Sequence, residues 1–518
     1  MVLNWIGGGK PDHPMADMKR AQELVGELPQ DSYKALDEVT FWLDSLNRTE
    51  GFKLDQRFAL VELIDQAARS HQRKLAQEYL AAPRLQKFQE NRMWKLSFEF
   101  WKTLGTAYNV LIEQFQSGAS GAGAVRNLLP VVTARAIRAV KMQLKWVLLR
   151  YGTVEDRIWA DLARLYQFAE DKDFAVKRVE VYPGTDDQVS VEEEFVKALM
   201  LSISSTDSLL PQELDIAERA CEHFSRQFQI GRQATKALPY YYDLAMRKPP
   251  ARVQKGTRLG ASARYFGAGE ALKGVSVLIH DIRDKDGIPS DVNLGGNHSV
   301  VTVTNVLKHL VEYWSDEPPA RSSERRKVAT RMTVVPGFVE LLQRLETTAT
   351  IGAFELHENA SGGGESWIVE NASEGGYGAI VPQVKGDWLK VGALIAYRTE
   401  TSKYWGAGIV RRITRDEYQQ RRVGIQSLAN IGIRVMLSPP GGVSSFRAVR
   451  DGDAAVLLST QPDKNGEITM VMRVGSFSPS QLFEMRLREK VYLIEPSRML
   501  EGGDDYDWGR YKIVSKVQ

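Results

Sequence analysis

Cysteine is almost absent from this chain: Cys221 is the only one in 518 residues. No disulfide can form within the chain, and a thiolate metal cluster is excluded with it. Cys221 lies in AERACEHF, where a small buried helix residue is the expectation. Long apolar runs are missing too. No window approaches the ~18 uninterrupted apolar residues that suggest a spanning helix, so no integral membrane segment is expected. The opening stretch MVLNWIGGGKPDHPMADMKR has no apolar core behind a basic start, does not read as a secretory signal, and leaves the cytoplasm as the expected location. Charge of one sign is equally scarce. Sixty-eight Lys and Arg face 65 Asp and Glu, a net charge of +3. That balance gives no support to binding a nucleic-acid polymer through global charge, although a local basic patch remains open.

Recognisable catalytic arrangements are also lacking. The histidines are His13, His71, His223, His280, His298, His309 and His357; none is paired at helical ligand spacing or set beside a carboxylate cluster. No metal site is expected. GGGK (Gly7–Lys10) is followed by Pro11 where a phosphate-binding loop needs Ser or Thr. No Gly-x-Ser-x-Gly elbow separates a strand from a helix. His280 beside Asp281 reads as an ordinary pair. The balance favours a binding protein without catalytic residues or a cofactor.

What is present divides into textures, and the length suggests two to four domains. From about Ala16 to about Gln229 the pattern is helical. Trp94, Phe98, Trp101, Leu104, Tyr108, Leu111 and Phe115 recur at spacings of three and four, and Ile137, Val140, Leu144, Val147 and Tyr151 form a second stripe. Both read as helix packing. Trp159–Tyr166 fits the first helix of a tetratricopeptide repeat, but no paired helix or second copy follows, so it reads as one more amphipathic helix. Met246–Tyr265, with paired prolines and basic residues, reads as a linker. Val275–Arg283 reads as a strand and Val303–Trp314 as a helix. After Pro319 many short strands alternate with glycine turns: RMTVVPGF, SWIVEN, GYGAIV, ALIAYR, WGAGIVRRI, RRVGIQSL, IGIRVMLS, DAAVLLST, ITMVMRV, KVYLIEP and RYKIVS. The expected architecture is multidomain α + β: a helical domain over 1–240, a linker and mixed bridging section over 241–319, a β-barrel over 320–430 and a further β-rich module over 431–518.

Two features stand close together in the barrel region. ARSSERRKVATRMTVV (320–335) crowds Arg321, Arg325, Arg326, Lys327 and Arg331 against one acid, Glu324. Guanidinium groups on such a segment suit phosphate oxygens in bidentate fashion and stack on flat bases. Alone, the segment would read as a solvated basic linker. Further on, ENAS occurs twice, at Glu358–Ser361 and Glu370–Ser373, each copy followed by glycine in the pattern Asn-x-Ser-x-x-Gly. Between two strands that pattern makes a tight turn. Asparagine tolerates left-handed backbone and can bond a base edge, serine adds a hydroxyl, and glycine lets a ligand approach the backbone. The second copy lies between SWIVE and YGAIV, whereas GGGES follows the first. Asn371, Ser373 and Gly376 are therefore favoured over Asn359, Ser361 and Gly364.

An arginine hook before a first strand, then Asn-x-Ser-x-x-Gly at a strand turn, then GGYGAIVPQVKGDWLKVGALIAYR continuing to WGAGIVRRITRDEYQQRRVGIQSL, resembles a PilZ domain over about Arg321–Ala429. The resemblance implies binding of cyclic di-GMP, a bacterial second messenger with two phosphates and two guanines. It further implies that Arg321, Arg325, Arg326 and Arg331 supply the clamp, that Asn371 and Ser373 contact a guanine, and that Gly375 and Gly376 keep the turn open. Arg321 and Arg325 have the Arg-x-x-x-Arg spacing of that family, and Arg331 follows Arg326 after four residues, so which arginines form the clamp stays open. The expected function is a cytoplasmic receptor in which nucleotide binding alters a protein-interaction surface on the helical region. The alternative is a scaffold of the same fold that has lost the nucleotide and holds a protein partner constitutively.

Overall fold

The computed structural model describes residues 11–81, 86–184, 188–256, 259–319, 324–351 (of 346–351 the backbone only), 364–416, 418–440, 454–459, 461–487 and 490–516. The chain divides into two compact units, Met1–Pro319 and Ala320–Gln518.

The first unit is built on helices: α1 (Met18–Gly26), α2 (Ser32–Arg48), α3 (Leu54–Ala81), α4 (Lys87–Gln116), the short α5 (Ala122–Val125), α6 (Leu129–Leu148), α7 (Asp156–Asp171), α8 (Val191–Ile203) and α9 (Pro211–His223). Local chemistry starts several of them. Asp17 accepts from the amides of Lys19 and Arg20, Asp31 accepts from Lys34 N at 2.8 Å, and Ser190 with Glu193 forms a reciprocal capping box. The aromatic stripe of α4 packs into the core, with Tyr108 and Leu104 buried and the ends of the stripe partly covered. Such burial stabilises by about 1.5–3 kcal/mol per large apolar side chain. Helix α6 is central, packed by α4, α7 and α8, and is buried along nearly its whole length. Cys221 is buried on α9.

Two expectations in this unit are corrected. Val275–Arg283 is not a strand: it lies within α10 (Ala271–Lys285), which packs against α11 (Val300–Trp314). Its β-branched residues suggest a strand, but Ala271, Val275, Leu278 and Ile282 make one helical stripe, and tertiary burial decides. Met246–Tyr265 is not simply a linker. Besides the small pair β1 (Val179–Glu180) and β2 (Gln188–Val189), the unit holds a four-stranded sheet in the order β3-β6-β4-β5. Its strands are β3 (Gln229–Gly231), β4 (Tyr240–Asp243), β5 (Ala251–Arg252) and β6 (Ala263–Gly267). Arg264 is buried in an ion pair with Glu170, and Arg252 Nη1 donates to the Pro318 carbonyl at 2.8 Å.

The second unit contains two closed antiparallel barrels. The first has β7 (Arg326–Pro336), β8 (Glu365–Ser373), β9 (Gly376–Val381), β10 (Leu394–Thr399), β11 (Gly406–Arg415) and β12 (Arg421–Ala429), closed in the order β10-β11-β12-β9-β8-β7. The second has β13 (Ile433–Ser438), β14 (Ala454–Leu457), β15 (Glu467–Arg473), β16 (Phe483–Leu487), β17 (Lys490–Gly502) and β18 (Tyr506–Lys516), closed as β13-β14-β15-β18-β17-β16. Each strand segment named from sequence overlaps a strand here. A helix not expected from the sequence, α12 (Phe338–Ile351), follows Gly337, where φ is +90°, and its Phe338 amide donates to Asp505 Oδ2 at 2.7 Å. Its Phe338, Leu341, Leu342 and Leu345 join a core with Leu394, Ile409, Val456 and Tyr506, so it ties the two barrels together.

Buried Glu365 organises one end of the first barrel. It accepts from the indoles of Trp367 at 3.0 Å and Trp388 at 3.1 Å, whose rings stack 5.8 Å apart. The second barrel has its own core, including Leu437, Met470, Met485 and Tyr511.

Candidate functional site

Strands β8 and β9 form a hairpin in which Ser373 pairs with Gly376, leaving Glu374 and Gly375 as the two-residue turn. Gly376 has φ +153°, and a Cβ there would lie 1.9 Å from the Ile425 carbonyl oxygen of β12. Only glycine fits. Gly375 is open, with no atom within 4 Å of a built Cβ, while its carbonyl accepts from Ser427 N at 3.0 Å. The turn is thus held to β12 by its backbone while its outer side faces solvent. Ser373 Oγ reaches the Gly376 carbonyl at 3.4 Å, a long contact that leaves the hydroxyl available to a better partner.

Asn371 pairs with Gly378 after a bulge between Val369 and Asn371. A Cβ at Gly378 would meet Asn371 Oδ1 at 2.6 Å, so this glycine makes room for the carboxamide. Asn371 Oδ1 is itself buried with no hydrogen-bond partner among the described residues. A buried acceptor left unpaired costs about 1–3 kcal/mol, and a donor from a ligand would remove that cost.

The basic segment enters the barrel beside this turn. Arg326 is the cross-strand partner of Ala372, and Lys327 that of Asn371. Arg325, Arg326 and Lys327 are all exposed. A bulge between Lys327 and Thr330 then shifts the register. Arg331 lies elsewhere: it pairs with Ile368, its guanidinium contacts Ser366 Oγ at 3.4 Å, and its amide donates to Glu400 at 3.2 Å. Arg321 lies outside the described residues, as do Asn359 and Ser361 of the first ENAS copy. Gly364 is packed against Thr333. The structure therefore brings Arg325, Arg326, Asn371, Ser373, Gly375 and Gly376 to one end of the barrel and leaves Arg331 further along β7.

Neighbours that the motif did not signal complete the surroundings. Arg422 on β12 pairs with Glu370 at 3.1 Å. Gln426, opposite Gly376, accepts from Arg411 Nε at 2.7 Å, and Arg411 in turn makes a two-pronged bond to Glu501 at 2.7 and 2.6 Å. The Tyr377 and Tyr397 rings meet edge-on, and the Tyr397 hydroxyl bonds Ser427 at 2.5 Å. Burial pushes the Tyr397 hydroxyl well above its ordinary value, so it stays protonated. Gly378 had a visible signal in GGYG, two residues beyond the motif glycine. Arg411, Gln426 and Arg422 had none, because only barrel closure brings β11 and β12 to the hairpin.

Among the described residues no helix is long and apolar enough to cross a membrane, and no group of three or more His, Cys, Asp or Glu is placed to hold a metal ion. In comparison with protein families, residues 19–235 match the family described as "Cyclic-di-GMP receptor FimW, N-terminal domain". This match covers less than half of the chain and falls on the helical unit, not on Arg321–Ala429, where the resemblance was read from sequence. No curated protein matches the chain.

Proposed function

We propose that this chain is a cyclic di-GMP receptor of the cytoplasm, with the nucleotide held where the start of β7 meets the β8–β9 hairpin. The observation that carries the proposal is the register: Arg326 and Lys327 lie across from Ala372 and Asn371, so basic side chains flank an unpaired buried acceptor at an open glycine turn. The match of residues 19–235 to the N-terminal domain of a cyclic di-GMP receptor supports the same ligand from a different part of the chain.

In this arrangement Arg325 and Arg326, with Arg321 before them, clamp phosphates and stack on guanines. Asn371 Oδ1 accepts from a guanine N–H, Ser373 adds a second polar contact, and Gly375 and Gly376 keep side chains out of the way. Arg331 is assigned to the strand rather than to the clamp. No catalytic residue is invoked. Residues 320–430 act as sensor, 1–240 carry the surface for a protein partner, 241–319 bridge them and 431–518 form the second β-module. Nucleotide binding alters the helical interaction surface through its different affinity for two arrangements of the protein.

Asn371→Ala tests the base contact. It should weaken cyclic di-GMP binding by about 1–3 kcal/mol, roughly five- to a hundredfold, in an equilibrium titration of the full-length protein. Unchanged affinity would remove Asn371 from the site. No binding to the wild type would leave the barrel as a constitutive scaffold.

A further inference from the structure

The helical unit contains a cleft of about 780 Å³ between α3, α6, α9 and the loop around residues 291–298. Its size falls in the range of small-molecule sites, about 300–1,000 Å³. Its floor is charged but paired. Lys141 bonds Glu218 and Glu222, Lys145 bonds Asp215 and Glu218, and Arg138 bonds Glu194 at 2.5 Å. Lys197 completes the seam with Glu194 at 2.8 Å and Glu222 at 2.5 Å. These four cations meet four carboxylates, and the seam is balanced.

The surplus is at the rim. Arg69 and Arg73, one turn apart on α3, make no hydrogen bond or ion pair among the described residues; Arg69 lies 3.9 Å from the Tyr182 ring centroid. Arg219 reaches Asp215 and Glu218 only at 4.0 Å, and its Nε is buried without a hydrogen bond. Gly295, with φ +83°, packs against that guanidinium, where a Cβ would lie 3.0 Å from Nε. The cleft lining also includes Trp101 and Trp146, whose indole N–H groups are buried without a partner.

We infer that this cleft is a second binding site, for a phosphate-bearing small molecule of about nucleotide size. Converging guanidinium groups present planar pairs of donors that match phosphate oxygens, and those of Arg69 and Arg73 are not spent on carboxylates, while Arg219 meets its acids only at the 4.0 Å limit. Desolvation and the like charges of Arg69, Arg219 and Arg138 depress the Arg73 guanidinium, which is the condition an incoming anion relieves. The inference does not depend on the barrel site.

Inorganic pyrophosphate is the probe, titrated into the full-length protein with calorimetry and tryptophan fluorescence as readouts. Wild type should bind. Arg69→Gln with Arg73→Gln, both at the rim and outside the buried seam, should weaken binding by about ten- to a hundredfold with the melting temperature unchanged. Arg325→Ala with Arg326→Ala should leave pyrophosphate affinity as it was and reduce only cyclic di-GMP affinity. No binding at millimolar pyrophosphate would overturn the inference. So would equal affinity in the Arg69/Arg73 variant, or loss of binding in the Arg325/Arg326 variant, which would place the anion on the barrel.

Discussion

The two units treat charge in opposite ways. The helical unit buries it: Lys141, Lys145, Glu194, Lys197, Asp215 and Glu218 are all below a tenth exposed, on three helices that would otherwise pack as an apolar bundle. The first barrel keeps its arginines exposed or half-buried, and among its described residues Glu365 is the buried charged group. On the buried seam of the helical unit a lost charge should therefore damage the fold. At the β7–β8–β9 end of the barrel a lost charge should damage only binding.

The largest expected effect is on the buried seam. Lys141→Met leaves Glu218 and Glu222 short of a partner and should destabilise the helical unit by about 3–5 kcal/mol in chemical denaturation. A loss below about 1 kcal/mol would mean that the seam tolerates an unpaired carboxylate, and the contrast would fail. Next is Gly376→Ala. The positive φ and the contact with the Ile425 carbonyl should cost about 1–3 kcal/mol of barrel stability, and cyclic di-GMP binding should fall with it.

Acid should weaken the seam by a different route. Burial alone would raise the carboxyls of Glu218 and Glu222, but Lys145, Lys141 and Lys197 outweigh it and hold both below the ordinary carboxylate value of 4.5. A folded value below the unfolded one means stability that is present above about pH 4.5 and is lost as pH falls through the folded value. Melting followed from pH 7 to pH 3 should show the helical unit weakening below pH 4.5. Because burial raises Asp65, Glu192 and Glu213 in the same unit, the comparison is with Lys141→Met, and a wild-type advantage that does not shrink below pH 4.5 would deny the seam its contribution. The smallest effect is expected at Arg331→Ala, within about 0.5 kcal/mol in stability and without a change in cyclic di-GMP affinity, since this residue lies along β7 away from the turn. A tenfold loss of affinity would return it to the clamp.

What could be read from sequence follows from how local the signal was. Strands after Pro319 announced themselves by short runs between glycine turns, and the Asn371–Gly376 turn by its flanking strands. Helix α12 is hidden behind Pro336-Gly337-Phe338, where the strand segment RMTVVPGF runs on, although Phe338, Leu341, Leu342 and Leu345 have helical spacing. The buried seam was hidden for a stronger reason. Arg138, Lys141 and Lys145 are spaced by three and four like any solvated stripe, while their partners Glu194, Asp215, Glu218 and Glu222 are far along the chain. Nothing local distinguishes a buried charged face from an exposed one. The same holds for Arg411 and Gln426, which only barrel closure brings to the hairpin.

The central claim is that the arginines at the start of β7 and the β8–β9 turn form one nucleotide site. Calorimetric titration of full-length wild type and of the Arg325→Ala, Arg326→Ala double variant with cyclic di-GMP tests it most directly. The expected result is saturable binding to wild type and a loss of about 1.5–3 kcal/mol per arginine in the variant, with its melting temperature preserved. Equal binding by both proteins, or by neither, would contradict it.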